Sequence, residues 1–221
     1  MFLELKGFLN AVEVARLRAL GRELKFVEGR LSNPANKTKD NLQADLSDPR
    51  YAESVNVVAG GFARSREFRD FAFPRRVAPP LLCRYEVGMK YGAHADSAHM
   101  QSGNARFQAD LSATIFISDP KEYEGGELVI HLGTRPVIFK GAPGDAIVYP
   151  STMLHEVRPV TSGTRLVSIA FIESLVRDQY QRTQLYELGE VFALEGGNMR
   201  WENRVRLETV QQNLLRLWSR I

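Results

Sequence analysis

His94 and Asp96 stand two residues apart at the end of Arg84-Tyr85-Glu86-Val87-Gly88-Met89-Lys90-Tyr91-Gly92-Ala93-His94-Ala95-Asp96. On an extended strand, residues i and i+2 project to the same face. An imidazole and a carboxylate so placed are two of the three ligands of a 2-His-1-carboxylate site for iron(II). The other histidines are His99, His131 and His155. His155 is the candidate third ligand, because it follows the turn after Tyr149-Pro150 and opens a new β-type run. A jelly roll can bring that run beside the strand carrying His94. Two imidazoles and one carboxylate on one face of a metal leave positions open for oxygen and a bidentate co-substrate.

Arg165 follows His155 by ten residues, in the otherwise apolar run Arg165-Leu166-Val167-Ser168-Ile169. A buried guanidinium without an anion is costly, and its planar fork grips a carboxylate through two parallel hydrogen bonds. The distal carboxylate of 2-oxoglutarate meets that need, with its 2-oxo acid end left to chelate iron. A His-x-Asp pair alone is common by chance, and a lone strand arginine commonly pairs with a protein carboxylate. The conjunction of His94-x-Asp96, a late His155 and Arg165 on the last β run carries the reading.

Neighbouring residues invite the same question and get plainer answers. His99 falls in the polar stretch Ser97–Arg106, expected to be a loop, and reads as a surface histidine before a substrate contact. His131 lies near a hairpin turn and is expected to be exposed. Tyr91 either faces the pocket or packs. Arg158 is expected at the surface. Glu156 adjoins His155 but points to the opposite strand face, which excludes it as a ligand. Cys83 reads as a small core residue.

The elements that position these residues begin with a short strand, Leu3–Leu9, and a helix capped by Asn10 with Glu13 in capping-box position. Val14, Leu17, Leu20 and Leu24 give that helix its apolar face. A strand is expected over Phe26–Arg30, a loop over Ser32–Asn41, a helix over Pro49–Val58 ended by Gly60-Gly61, and a second helix over Ser65–Phe71 stopping before Pro74. This first third reads as support without chemistry. Short β-type runs then follow: Leu81–Val87, Ala109–Ser118, Glu127–Leu132, Arg135–Phe139, Ala146–Tyr149, His155–Val160 and Arg165–Ile172. Their length and spacing argue for a sandwich or jelly roll. Beyond Glu173 the pattern is helical. Leu185, Leu188, Val191 and Phe192 mark one helix, Gly196-Gly197-Asn198 a turn, and Val210, Leu214, Leu217, Trp218 and Ile221 another. The expected division is a support region over 1–77, a β core over 78–174 and a helical extension over 175–221, packed on the core.

Composition sets bounds. The chain has 221 residues, 44% hydrophobic and 25% charged, enough for one substantial core. Net charge is +3 with basic and acidic residues interspersed, so a nucleic-acid partner is not expected. A single cysteine rules out an internal disulfide. The N-terminus lacks the basic and apolar regions of a signal peptide, and no run approaches the ~20 apolar residues of a membrane span. A cytoplasmic location without membrane contact is expected.

Taken with their surroundings, these motifs resemble the iron(II)/2-oxoglutarate-dependent dioxygenases of the prolyl/lysyl hydroxylase type, and more narrowly the bacterial PKHD-type hydroxylases, often associated with iron-uptake loci. The resemblance rests on Arg84-Tyr85, Tyr91-Gly92-x-His94-x-Asp96, Leu111–Ser118, Glu124-Gly125-Gly126-Glu127-Leu128, Pro143-Gly144-Asp145, His155-Glu156-Val157 and Gly163-x-Arg165. The helical tail resembles the C-terminal extension of the narrower family. The resemblance implies a mainly β fold with flanking helices around a double-stranded β-helix (jelly roll) core. It implies His94, Asp96 and His155 as Fe(2+) ligands, Arg165 as the 2-oxoglutarate anchor, Tyr85 as a lining residue of the co-substrate pocket, and L-ascorbate as a helper that keeps iron reduced. Relatives place a second tyrosine where this chain has Phe116, so the hydroxyl contact to the co-substrate is either missing or supplied by Thr114.

The leading function is hydroxylation of a peptidyl or siderophore-related substrate with release of succinate and CO2. The competing classes are nucleic-acid demethylation, a non-catalytic cupin-like metal or small-molecule binding module, and an iron or oxygen sensor. The first needs a basic groove that the sequence does not show, and cupins favour His-x-His where this chain has His94-x-Asp96. A homodimer through the C-terminal helices is the one protein partnership the apolar tail invites.

Overall fold

The computed structural model describes residues 1–33, 36–102 and 105–220. In chain order its elements are β1 (Leu3–Leu5), α1 (Ala11–Glu23), β2 (Phe26–Glu28), a 3-10 turn (Gly29–Ser32), β3 (Lys39–Asp40), β4 (Leu42–Ala44), α2 (Tyr51–Arg64), α3 (Arg66–Ala72) and β5 (Pro74–Val77). The β-rich part follows as β6 (Leu81–Tyr85), β7 (Lys90–His94), β8 (His99–Ser102), β9 (Ala105–Gln108), β10 (Leu111–Phe116), β11 (Tyr123–Gly125) and β12 (Leu128–Leu132). It continues through β13 (Arg135–Phe139), β14 (Ala146–Pro150), β15 (His155–Val157), β16 (Val160–Gly163) and β17 (Arg165–Ser174) to α4 (Gln179–Glu195) and α5 (Trp201–Trp218).

The strands pair antiparallel into a major sheet, β1-β14-β10-β17-β6-β4-β2 with β5 beside β17, and a minor sheet, β13-β12-β15-β7-β3. This is the jelly roll. Alternation along each strand splits the apolar residues between two cores. On β10, Ala113 and Ile115 face one way and Phe116 the other; on β14, Val148 and Tyr149 separate likewise. The outward set meets α1, α2 and α3 through Leu17, Leu20, Val58, Phe62 and Phe68. Leu17 and Leu20 are fully buried, each worth about 1.5–3 kcal/mol of apolar transfer. The inward set, including Tyr85, Leu128 and Tyr149, fills the space between the sheets.

Several expectations shift. The Leu3–Leu9 strand ends at Leu5, because Gly7 turns with φ +60° and its amide bonds Asp145. The Asn10–Glu13 capping box forms as expected. The Gly60-Gly61 pair does not end the second helix, which runs to Arg64. Gly61 is there for clearance: a Cβ would lie 2.7 Å from Phe8 and 2.9 Å from Leu9. The expected loops over Ser32–Asn41 and Ser97–Arg106 contain β3 and the β8–β9 hairpin. Their polar composition hid them, since β3 adds at a sheet edge and β8–β9 pair only with each other. The His155–Val160 run divides at Pro159, and Val160 starts a strand that pairs with the unanticipated β11.

The tail also differs. Only Leu185 of the expected apolar face of α4 is fully buried, and α5 buries no residue. Tyr186 of α4 meets Phe71 of α3 edge-on at 5.4 Å, so the extension contacts the support helices. Pro34 and Ile221, cited for the loop and the last helix, lie outside the described residues.

Candidate metal centre

β7 and β15 are neighbours in the minor sheet, with His94 and His155 directly opposite each other. Asp96 lies just past the end of β7, not within a strand, and its amide donates to the Ser151 carbonyl at 3.1 Å. That bond ties the chain after β7 to the end of β14 and turns the carboxylate inward. Asp96 Oδ1 is 3.8 Å from His94 Nε2, and Oδ2 is 3.7 Å from His155 Nε2. One ligand atom from each of the three residues lies within 4.8 Å of the others.

Both imidazoles are held by their other nitrogen. His94 Nδ1 is 2.8 Å from the Gly92 carbonyl and His155 Nδ1 is 3.0 Å from the Met153 carbonyl. A carbonyl only accepts, so each Nδ1 carries the proton and each Nε2 turns a lone pair into the site. Burial, and then the neighbouring His155, push the His94 pKa down, which favours the neutral, ligating form. Tyr91 stacks on His94 with centroids 3.6 Å apart, fixing the ring plane.

The carboxylate has its own support. Ser112 Oγ donates to Asp96 Oδ2 at 2.6 Å, and the Ser151 hydroxyl lies 2.8 Å from Ser112 Oγ. With the Ser112 hydroxyl proton given to Asp96, Ser151 is the donor in the second bond. Ser112 lies on β10 and Ser151 in the turn after β14, and nothing in their spacing marks either as a support for Asp96; the β10–β14 pairing brings them together.

The three residues bound a cleft of about 690 Å³ between the sheets. At its inner side Arg165 is 1% exposed, and its Nε and Nη1 have no hydrogen-bond partner among the described residues. Tyr85 faces it in register across β6–β17, with the guanidinium 4.9 Å from the ring centroid. Burial pushes the Tyr85 phenol pKa up, so it remains a donor. Tyr123 lies beside Arg165 across Gly126, and among the described residues no carboxylate pairs with Arg165. Phe116 packs into the inner core, where a Cβ on Gly141 would lie 2.4 Å from its ring. Thr114 and the buried Tyr149 both line the cleft, so two hydroxyl-bearing side chains lie on its wall.

Other residues divide. His99 is exposed at the cleft mouth. Tyr91 faces the cleft. His131 is only partly exposed, against expectation, because Glu156 lies 3.6 Å from its Nε2 on the far face of the minor sheet. Arg158 is exposed and Cys83 is buried, its thiol pKa pushed up by burial to about 11. The first third of the chain, read as inert support, supplies Ser32, Asn33, Lys39, Asn41 and Tyr51 to the cleft wall.

The donor set fits iron(II). Bonds of about 2 Å place adjacent ligand atoms about 3 Å apart, so the two Asp96–histidine separations of 3.8 and 3.7 Å need contract by less than about 1 Å. The orphaned, buried guanidinium fits a dianionic co-substrate.

Comparison with known proteins gives the same direction. Residues 80–173 match the model of the 2OG-Fe(II) oxygenase superfamily. A PKHD-type hydroxylase of Sphingopyxis alaskensis is 48% identical over 96% of this chain and 95% of that protein. One from Escherichia coli is 37% identical over the full length of both. Among solved structures, a prolyl hydroxylase from Trichoplax adhaerens in complex with a hypoxia inducible factor peptide superposes with TM-score 0.60 at 15% identity, covering 83% of this chain and 86% of that one. A viral collagen prolyl hydroxylase from Paramecium Bursaria Chlorella virus-1, with 2OG bound, gives 0.56 at 18% identity, covering 78% and 96%. At such identities these two structures speak for the fold alone.

Proposed function

This chain belongs to the PKHD-type hydroxylases, iron- and 2-oxoglutarate-dependent enzymes of the 2OG-Fe(II) oxygenase superfamily, and from that premise we propose specific roles for its residues. His94, Asp96 and His155 hold Fe(2+), Arg165 with Tyr85 holds the far carboxylate of 2-oxoglutarate, and a peptidyl or siderophore-related substrate is hydroxylated. Iron(II) with 2-oxoglutarate and O2 supplies an oxidative decarboxylation that yields succinate and CO2 and places hydroxyl on the substrate. The observation that carries this reading is the convergence of two Nε2 atoms and one carboxylate, each locked from behind by a carbonyl or a hydroxyl.

The chain's own residues bind, orient and exclude water. Gly92 and Met153 carbonyls keep both imidazoles in the Nε2-ligating tautomer. Ser112 keeps Asp96 aimed by donating to its Oδ2. Arg165, with Tyr85 and Tyr123 against it, presents two free donors to an anion in a water-poor pocket, where such bonds are strongest. Tyr149 and Thr114 supply hydroxyls between the metal ligands and the anchor. The carboxylate ligand leaves no gap for a halide, which favours hydroxylation.

The remaining parts of the reading follow. Residues 78–174 form the catalytic core, 1–77 its support, and 175–221 an extension that offers a homodimer contact. L-Ascorbate keeps the iron reduced, and the enzyme works in the cytoplasm; no helix among the described residues is long and apolar enough to cross a membrane. Membership in a hydroxylase family sets aside the non-catalytic cupin-like module.

The test is succinate formation from 2-oxoglutarate by purified protein with iron(II), ascorbate and O2. Wild type is expected to produce succinate, and His94→Ala and Arg165→Ala to lose it. Succinate formed equally by both variants would refute the assigned roles.

A further inference from the structure

Lys39 stands out among the cleft residues. It lies on β3, opposite Tyr91 of β7, and is 6% exposed. Its Nζ donates to Ser32 Oγ at 2.6 Å and lies 5.3 Å from the centroid of the Tyr91 ring, the ring that stacks on His94. It forms no ion pair among the described residues. An ammonium has three donors, and Ser32 takes one. Burial pushes its pKa down, the sign of a charge held without a counter-ion.

Charge accounting shows what is missing. The formally charged side chains lining the cleft are Lys39, Asp96 and Arg165. On the reading above, iron(II) with Asp96 carries one net positive charge, and Arg165 a second. The 2-oxoglutarate dianion cancels both. The charge on Lys39 alone remains unmatched in a buried wall, where an unpaired ion is costly. The Asn33 amide bonds the Tyr91 hydroxyl beside it, and Ser32 and Asn41 offer no negative charge.

We propose that Lys39 is the substrate-recognition residue of this enzyme and that the substrate carries a single carboxylate, which pairs with the Lys39 ammonium on the Tyr91 side of the metal. A monoanionic carboxylate matches the one unmatched ammonium, whereas a phosphate dianion would leave a negative charge unpaired in the buried wall. Peptide C-termini, acidic side chains and carboxylate-bearing small molecules fall in the class; neutral amides and amines do not. The inference rests on the iron and 2-oxoglutarate reading and names its substrate class.

The test uses hippurate and its carboxamide, hippuramide, which share one skeleton and differ only in the carboxylate. Protein loaded with zinc(II), which supports no turnover, and with saturating 2-oxoglutarate is titrated with each. The readouts are the lysine Nζ resonances, with Lys39 assigned from its absence in Lys39→Met, and the dissociation constants. Hippurate should shift the Lys39 resonance and bind roughly 30-fold more tightly than the amide, the scale of a buried charge pair. Lys39→Met should erase that preference while changing 2-oxoglutarate affinity by less than about twofold, and Lys39→Arg should retain much of it. Equal binding of acid and amide to wild type, an unmoved Lys39 resonance, or an intact preference in Lys39→Met each overturns the proposal. A large loss of 2-oxoglutarate affinity in Lys39→Met also overturns it, by assigning Lys39 to the co-substrate. The wild-type comparison stands even where a variant does not fold. Wild type that binds neither zinc(II) nor 2-oxoglutarate would instead sink the underlying reading, a result distinct from failure of the hippurate arm.

Discussion

Ser112→Ala removes one oxygen and should cost the protein much of its metal affinity. Ser112 is 2% exposed on β10, and its hydroxyl makes a 2.6 Å bond to Asp96 Oδ2. Hydrogen bonds to charged groups contribute about 1.5–3 kcal/mol, which corresponds to about 10- to 150-fold in a binding constant. Outer-sphere partners of metal ligands show losses of about 10- to 100-fold, an overlapping range. Asp96 would keep its backbone tie to Ser151, so the fold should survive and the carboxylate lose only its aim. The assay is calorimetric titration with manganese(II), a redox-quiet stand-in for iron(II), beside a thermal melt. Ser151→Ala acts one bond further out, through Ser112, and should cost only a few-fold. Metal affinity of Ser112→Ala within about twofold of wild type, with the fold intact, would refute the argument. So would a greater loss in Ser151→Ala than in Ser112→Ala.

Two further outcomes are expected. The folded His94 pKa is depressed, so the unfolded chain binds the proton first as pH falls. Stability of the metal-free protein should therefore decline as pH drops below about 6.5 toward the folded pKa, and His94→Gln should flatten that part of a denaturant-midpoint profile; an unchanged slope would contradict the assignment. Adjacent glycines of α2 should respond in opposite directions. Gly60→Ala meets nothing nearer than Arg64 at 3.5 Å and should gain up to about 1 kcal/mol of helix propensity, whereas Gly61→Ala strikes Phe8 and Leu9 and should lose about 1–3 kcal/mol. Thermal melts that moved the same way for both would count against the packing at that contact.

Legibility followed distance along the chain. The Asn10–Glu13 box, the helix it starts and most core strands were readable because caps and alternation act over a few residues. His94 and Asp96 declared themselves through their two-residue spacing, and Arg165 through its charge in an apolar run. The Gly60-Gly61 break misled because composition records a glycine's freedom and not the ring packed against it. The short polar strands β3 and β8 had too few residues and too little apolar pattern to register.

What the sequence determined by itself was the class of chemistry and a β-rich core, since residue type and short-range periodicity suffice for both; periodicity left sandwich and jelly roll open, and the family resemblance pointed to the jelly roll. What only the tertiary structure decided was the support and charge balance of the site. Ser112 reaches Asp96 because β10 lies beside β14, and Lys39 reaches the cleft because β3 caps the minor sheet beside β7. These contacts join Ser112 to Asp96, 16 positions apart, across the two sheets and Lys39 to Tyr91, 52 positions apart, by antiparallel pairing, and no local pattern encodes either. Lys39 shows the consequence: along the chain it is one more surface-type lysine, and burial without a counter-ion turns it into a receptor.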